Sequence, residues 1–255
     1  MAVKVIYTRQ TAILLVHIKI MTEKTETKEN LLLNFLLNII IPTLILIKFS
    51  GEDTLGVKNG IIVALSFPIG YGLYDFFRTR KFNIFSGIGI ISILLTGGIS
   101  LLELDPKYIA IKEAAIPAII GFVTLASLYT KYPLLKTVFF NEKFVQVERI
   151  KSALKDSNAE QAFDTSFRNA SLLFSSSFFL SSLLNYALAR YLIVSSPGTE
   201  EFNAELGRMT ALSYPVITIP SLIVMFTSLI YLYRRITKLT HLKFEEIIID
   251  PEGQK

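Results

Sequence analysis

The chain has 255 residues, 51% hydrophobic and 18% charged, with a formal charge of +5 and a mean hydropathy of +0.50. A soluble domain of this length carries about a quarter charged residues, so the soluble, disordered and collagen-like classes are excluded. The absence of cysteine removes disulfides, thiol nucleophiles, iron–sulfur ligation and cysteine-rich zinc sites together.

Two histidines, His17 and His241, stand near opposite ends of the chain in polar or basic surroundings. They build no metal centre, and no cofactor is expected. The positive balance reads as loop charge facing an anionic cytoplasmic lipid surface. No basic stripe interleaved with aromatics points to nucleic acid.

In the first thirty residues, the apolar piece Thr11 to Val16 is interrupted by His17 and Lys19 and lacks a small-residue cleavage site. It makes a poor signal peptide and is too short to span a bilayer. Met21, opening a polar decapeptide of alternating charge, reads as a more natural beginning. Residues 1–20 are expected to be an upstream extension of the reading frame, with a short surface helix as the alternative. Residues 1–30 together form a cytoplasmic N-terminal segment.

Six apolar stretches follow: Leu31–Ile47, Asn59–Phe77, Phe82–Leu102, Ile109–Tyr129, Ala170–Val194 and Met209–Tyr233. Each has roughly the 17 to 25 residues that a hydrocarbon core about 30 Å thick demands. Each must be helical, because lipid cannot satisfy backbone hydrogen bonds. Spans one to four occupy 31–129, and spans five and six occupy 170–233. Counted from Met21 to Lys243, sixteen Lys and Arg lie in the connections on the N-terminal side of this arrangement and six on the other. Both termini, including the tail 234–255, are therefore expected in the cytoplasm. The fold class is all-α, a polytopic membrane bundle of about six transmembrane helices.

In span one, Asn34, Asn38 and, about 40° further round, Lys48 fall on one side of an ideal helix. The amides suit hydrogen bonds across helices, and Lys48 suits snorkelling to the outer interface. In span two, Pro68, Gly70 and Gly72 sit at mid-membrane. They predict a simple kink, with a broken helix exposing backbone groups to a solute as the alternative.

The densest ionisable cluster is Glu103, Asp105, Lys107, Lys112 and Glu113, around the hinge between spans three and four. Glu113 falls about one turn inside the fourth helix, where a lone carboxylate is costly. Lys112 and Glu113 are about 100° apart on a helix, which argues against simple mutual neutralisation and offers Lys48 as a partner for Glu103 or Glu113. The plainer reading is an outer loop with a salt-bridged helix start.

The inner connection, 130–169, carries Phe140, Phe144, Val147, Ile150 and Leu154 at three- and four-residue steps, with Lys143, Arg149 and Lys151 between them. That pattern predicts an amphipathic cytoplasmic helix between spans four and five, lying on the inner membrane surface or under the bundle. It is either a joining hairpin or a docking platform for a partner. A second short helical piece, Asn158 to Arg168, brings Phe163 and Phe167 onto one face. Spans three and five also carry Ser, Thr and Gly at helical steps, which lets helices pack closely.

No P-loop, no G-x-S-x-G and no metal-binding His-Glu arrangement occurs, so no enzymatic activity is expected. Ile41-Pro42-Thr43 through Phe49, the aromatic-basic end Tyr74 to Lys81, the stretch Leu94 to Gly121 and Thr130 to Phe139 together resemble the bacterial intracellular septation protein A family. In that family a glycine pair in the third span leads to a polar hinge, a Lys-containing fourth span and a basic-Pro-Leu segment. Here those elements are Gly97 and Gly98, Glu103 to Asp105, Lys112, and Lys131 to Leu135. The likeness runs in order from Leu31 to His241. The chain departs from the pattern in its longer connection, Glu142 to Arg168, and in its N-terminal residues, as a sister group would.

The resemblance implies a multi-pass protein of the bacterial inner membrane, non-enzymatic, that supports envelope maintenance or septation. Its partners would be the bilayer, cell-division or envelope-synthesis membrane proteins, and a second copy of itself. The competing expectation is a small transporter or channel for an ion or solute. Its pathway would use Pro68 to Gly72 with Lys48, Glu103, Lys112 and Glu113.

Overall fold

A computed structural model describes residues 32–79, 84–130, 133–140 and 145–248. The expectations placed on residues 1–31, on Lys143 and Phe144 and on the last residues of the tail lie outside them. Among the described residues the protein is helical apart from turns and one isolated antiparallel bridge, Val145 to Ile248. The helices are α1 (Leu32–Lys48), α2 (Val57–Thr79), α3 (Ile84–Leu101), α4 (Lys107–Ser127), α5 (Leu134–Phe139), α6 (Val147–Asp156), α7 (Glu160–Leu192), α8 (Glu200–Ser213), α9 (Ile219–Thr240) and α10 (Phe244–Ile247). A π-helical segment, Tyr214–Thr218, joins α8 to α9.

Three of these are long and apolar enough to cross a membrane: α4, α7 and the continuous run Glu200–Thr240. Only 28%, 28% and 17% of their most apolar stretches is buried inside the protein. Most of that surface therefore has no protein cover, as lipid-facing helices require. Leu32–Lys48 and Ile91–Leu101 are shorter apolar helices.

The helices form two compact units, one of residues up to Glu103 with Pro197–Ala211, the other of Leu104–Ser196 with the chain from Leu212 onward. In the first, α1 and α2 pack as a hairpin closed by a turn in which Thr54 and Gly56 both donate to the Gly51 carbonyl. Close approach here needs Gly60. A Cβ on it would stand 2.4 Å from Ser50 Oγ and 3.1 Å from the Ser50 Cα. Helix α2 runs unbroken through Pro68, Gly70 and Gly72, so the broken-helix alternative is not what forms.

Helix α1 contains a π-helical segment, Leu36–Ile40, where Ile41 N–H bonds the Leu36 carbonyl five residues back. Pro42 follows directly. Proline has no N–H and its ring collides with the carbonyl four residues earlier, so a wider turn at that point relieves the clash. The same device recurs at Tyr214–Thr218, where Ile219 bonds Tyr214 immediately before Pro220.

In the second unit, α4 and α7 pack along much of their length, α9 packs on α7, and α6 packs on α9 and α7. Helix α6 begins with Glu148 and ends with Lys155, each matched to the helix dipole. Its end is a Schellman turn: Asn158 is left-handed (φ 49°), Asn158 N–H bonds the Lys155 carbonyl and Ala159 N–H bonds the Leu154 carbonyl. Helix α7 starts two residues later and continues for 33 residues, about 50 Å. The short piece predicted at Asn158 to Arg168 and the span predicted from Ala170 are thus one helix, because nothing between them stops it. Helix α9 ends at His241, left-handed at φ 58°. The chain then returns through α10, and Gln146 N–H bonds the Ile247 carbonyl.

Candidate functional site

The polar residues singled out in the sequence largely satisfy one another locally. Asn38 Nδ2 donates to Asn34 Oδ1 at 2.7 Å, along one helix. Lys48 is exposed as the last residue of α1. In the first unit Glu103, in left-handed backbone at φ 53°, lies 3.9 Å from the Lys58 ammonium. In the second unit Asp105 accepts the Lys107 backbone N–H at 2.8 Å and lies 3.1 Å from its ammonium. The N–H first, and then the ammonium, hold the Asp105 carboxyl below its ordinary value.

Lys112 and Glu113 correct the angular argument made from their sequence. Lys112 Nζ donates to Glu113 Oε1 at 2.6 Å, with the Lys112 side chain 7% exposed and that of Glu113 27%. The Cβ directions do diverge by about 100°, but the four-carbon lysine stem bends round and closes the pair. The charge inside α4 is therefore matched one residue away, and in the first unit the lysine beside Glu103 is Lys58 rather than the Lys48 offered for it.

The sequence reading missed α8. The segment ahead of span six was taken as outer loop, yet it forms a helix whose Phe202, Asn203, Leu206, Gly207 and Met209 are buried. Phe202, Leu206 and Met209 recur at steps of four and three, a signal legible in the sequence but masked by Glu200, Glu201, Glu205 and Arg208 between them. Asn203 Nδ2 donates to the Val57 carbonyl at 2.9 Å and ties α8 to α2. Asn203 Oδ1 and Thr43 Oγ1 are buried without a hydrogen-bond partner, and Glu205 is 9% exposed.

Within the second unit three hydroxyls of the apolar helices bond across to a neighbouring helix. Ser175 donates to the Gly121 carbonyl, Ser182 to that of Ala114 and Ser228 to that of Ala170, at 2.7 to 2.8 Å. These bonds cross from α7 to α4 and from α9 to α7. They satisfy polar groups where lipid offers no partner.

The end of this unit that carries α6 is aromatic. Val147, Ile150 and Leu154 of α6 are buried with Leu135, Leu232, Ile236 and Ile247. Phe140 meets Phe139, Phe163 and Phe167 at ring distances of 5.2 to 6.4 Å. The apolar face of α6 is thus part of a core, which corrects the reading of Val147, Ile150 and Leu154 as an open partner or membrane surface. Burying three aliphatic side chains is favourable by about 1.5–3 kcal/mol each, so that face stays closed. Of the charged residues expected between them, Arg149 pairs with Glu246 and Lys151 with Glu148.

Two hollows open beside this aromatic group. The larger, about 570 Å³, runs along Phe122, Leu125, Tyr129, Arg168 and Leu172. The smaller, about 300 Å³, is bounded by Lys136, Phe140, Ile150, Lys151 and Phe163. They share Pro133, Asp164 and Phe167. Of the residues that line them, Phe140, Val147, Ile150, Lys151, Leu154, Phe163 and Phe167 were picked out beforehand. Arg168 and Lys136 were counted as loop charge. Among the described residues no group of three His, Cys, Asp or Glu side chains is placed to hold a metal ion.

Against family models, curated proteins and solved structures alike, the chain finds no match.

Proposed function

We propose that the chain is a six-span, non-enzymatic protein of the bacterial inner membrane, with both termini cytoplasmic. It supports envelope maintenance or septation through contacts with other membrane proteins and with a second copy of itself, as expected of a sister group of septation protein A. The observation that carries this reading is where the intramembrane polar groups go. Ser175, Ser182 and Ser228 bond neighbouring backbone, and Lys112 closes on Glu113. Three of the hydroxyls that a conduit would line itself with hold helices together, and the charged pair is closed within α4. Large apolar side chains such as Ile119, Ile223 and Phe226 meanwhile stand more than half exposed, a surface for lipid or for partner helices.

The test is photocrosslinking in living cells from an unnatural residue at Ile119 or Ile223. Recovery of wall-synthesis or division proteins supports the proposal. Recovery of lipid alone, with solute flux in liposomes carrying the purified protein, overturns it.

Transport is the second reading, and one observation favours it. In the first unit Asn203 Oδ1 and Thr43 Oγ1 lie buried without partners, and Asn203 is two residues from the buried Glu205. Unsatisfied buried acceptors cost about 1–3 kcal/mol each, a cost that a passing cation or solute would offset. Liposome flux that Glu205→Gln abolishes would establish that reading in place of the first.

A further inference from the structure

The two hollows at the end of the second unit that carries α6 have a gradient of polarity along their length. Phe122 lies in the last two turns of α4, and Tyr129 two residues beyond its end. At the deep end the wall is Phe122, Leu125 and Leu172, with Phe122 64% and Leu172 45% exposed. At the shallow end come Tyr129 and Arg168, and across the shared wall of Pro133, Asp164 and Phe167 stands Lys136. Arg168 and Lys136 are exposed and belong to no ion pair among the described residues. Lys151, on the smaller hollow, is held by Glu148. An apolar trough that leads to unpaired cations at the end of a membrane helix has the shape of an amphiphile.

We infer that these hollows bind one anionic phospholipid of the inner leaflet, its phosphate between Arg168 and Lys136 and its acyl chain against Phe122, Leu125 and Leu172. The assignment rests on the membrane placement proposed above. Arg168 supplies the planar fork that matches phosphate oxygens, and Lys136 adds a point charge. The Tyr129 ring sits at the depth where aromatic residues with a polar tip favour the headgroup layer. Asp164, on the shared wall, repels a second phosphate and accepts hydrogen bonds from headgroup hydroxyls. The site therefore selects a single phosphodiester bearing hydroxyls, of which phosphatidylglycerol is the simple example.

The experiment uses the full chain in detergent, titrated with phosphatidylglycerol, phosphatidylethanolamine or phosphatidylcholine of matched chains, with bound lipid counted by native mass spectrometry. Phosphatidylglycerol is expected to bind about twenty-five-fold tighter than phosphatidylcholine, from two cations that each favour anionic lipid by about fivefold at a surface. Arg168→Gln and Lys136→Gln each lower the preference three- to fivefold, by about the same reckoning, and the double variant removes it. Ala126→Trp, at an exposed position on the larger hollow, fills the trough and weakens all the lipids alike.

Equal binding of the three lipids overturns the inference, as does a preference that the Arg168 and Lys136 variants leave intact. Inorganic phosphate that displaces phosphatidylglycerol at millimolar concentration overturns the lipid as occupant and assigns the site to a free anion. The measurement depends on neither partners nor orientation. Lost crosslinks with intact lipid preference overturn the proposed function alone, and lost preference with intact crosslinks overturns this inference alone.

Discussion

Replacing Gly207 by alanine sets two energies of opposite sign against each other. In a helix interior alanine is favoured over glycine by about 1 kcal/mol. At Gly207 the added Cβ would stand 2.8 Å from Ile47 Cγ1, 3.1 Å from the Thr43 carbonyl oxygen and 3.2 Å from Leu46 Cβ. Ile47 can rotate away, but the Thr43 oxygen is backbone and Leu46 Cβ is fixed to it. Overpacking of this kind costs about 1–3 kcal/mol, so Gly207→Ala is expected to lose up to about 2 kcal/mol net. Gly70→Ala and Gly72→Ala supply the control. Nothing lies within 4 Å of a Cβ at either position, and each is expected to gain up to about 1 kcal/mol. At about 2–4 °C per kcal/mol for a chain of this size, thermal melting in detergent should separate Gly207→Ala from the two controls by several degrees. If Gly207→Ala melts at or above the parent, the contact of α8 with α1 is not the one described.

Three further outcomes follow from the second unit. Ile150→Ala, at a fully buried position, should cost about 2–5 kcal/mol and expose α6 to limited proteolysis, whereas Lys151→Ala should stay within about 0.5 kcal/mol; equal effects would refute the buried face. Glu113→Gln takes from Lys112 its carboxylate and should cost about 1–3 kcal/mol. The double change Lys112→Met, Glu113→Gln should recover most of that in a double-mutant cycle, and strict additivity would deny the pair. Because the folded-state value of Asp105 is lowered by Lys107, its carboxylate contributes stability that is complete above the ordinary carboxylate range and is lost as pH falls through the lowered value. Melting temperatures of the parent and Asp105→Asn, followed from about pH 6 down to about pH 3, should therefore converge only at the acid end. A difference that grows as pH falls would reverse the sign.

What the sequence made legible was periodicity and hydropathy. Val147, Ile150 and Leu154 were assigned to one face of a helix, and they share one; apolar length marked α4 and α7 as membrane helices. What it hid followed from treating local charge as solvent exposure. Glu200, Glu201, Glu205 and Arg208 made α8 look like a loop, although its apolar residues keep helical steps. The lipid-sized hollows were equally invisible, because Arg168 and Leu172 meet Tyr129 and Pro133 only once α7 has packed beside the end of α4. The Lys112–Glu113 pair was misjudged because a helical wheel records where a side chain leaves the backbone, not where a long stem ends.

The π-helical turn in α1 bears on that wheel as well. One extra residue in a turn sets everything beyond it back by the angle of a single residue, about 100°. Lys48, about 40° from Asn34 on an uninterrupted helix, is displaced to about 140°, so the two ends of α1 present their polar groups to different sides. The segment Leu36–Ile40 acts as a phase offset between the half that carries Asn34 and Asn38 and the half whose Thr43, Leu46 and Ile47 receive Gly207. Deleting one residue there would keep every side chain that matters and turn the seat for α8 away from it.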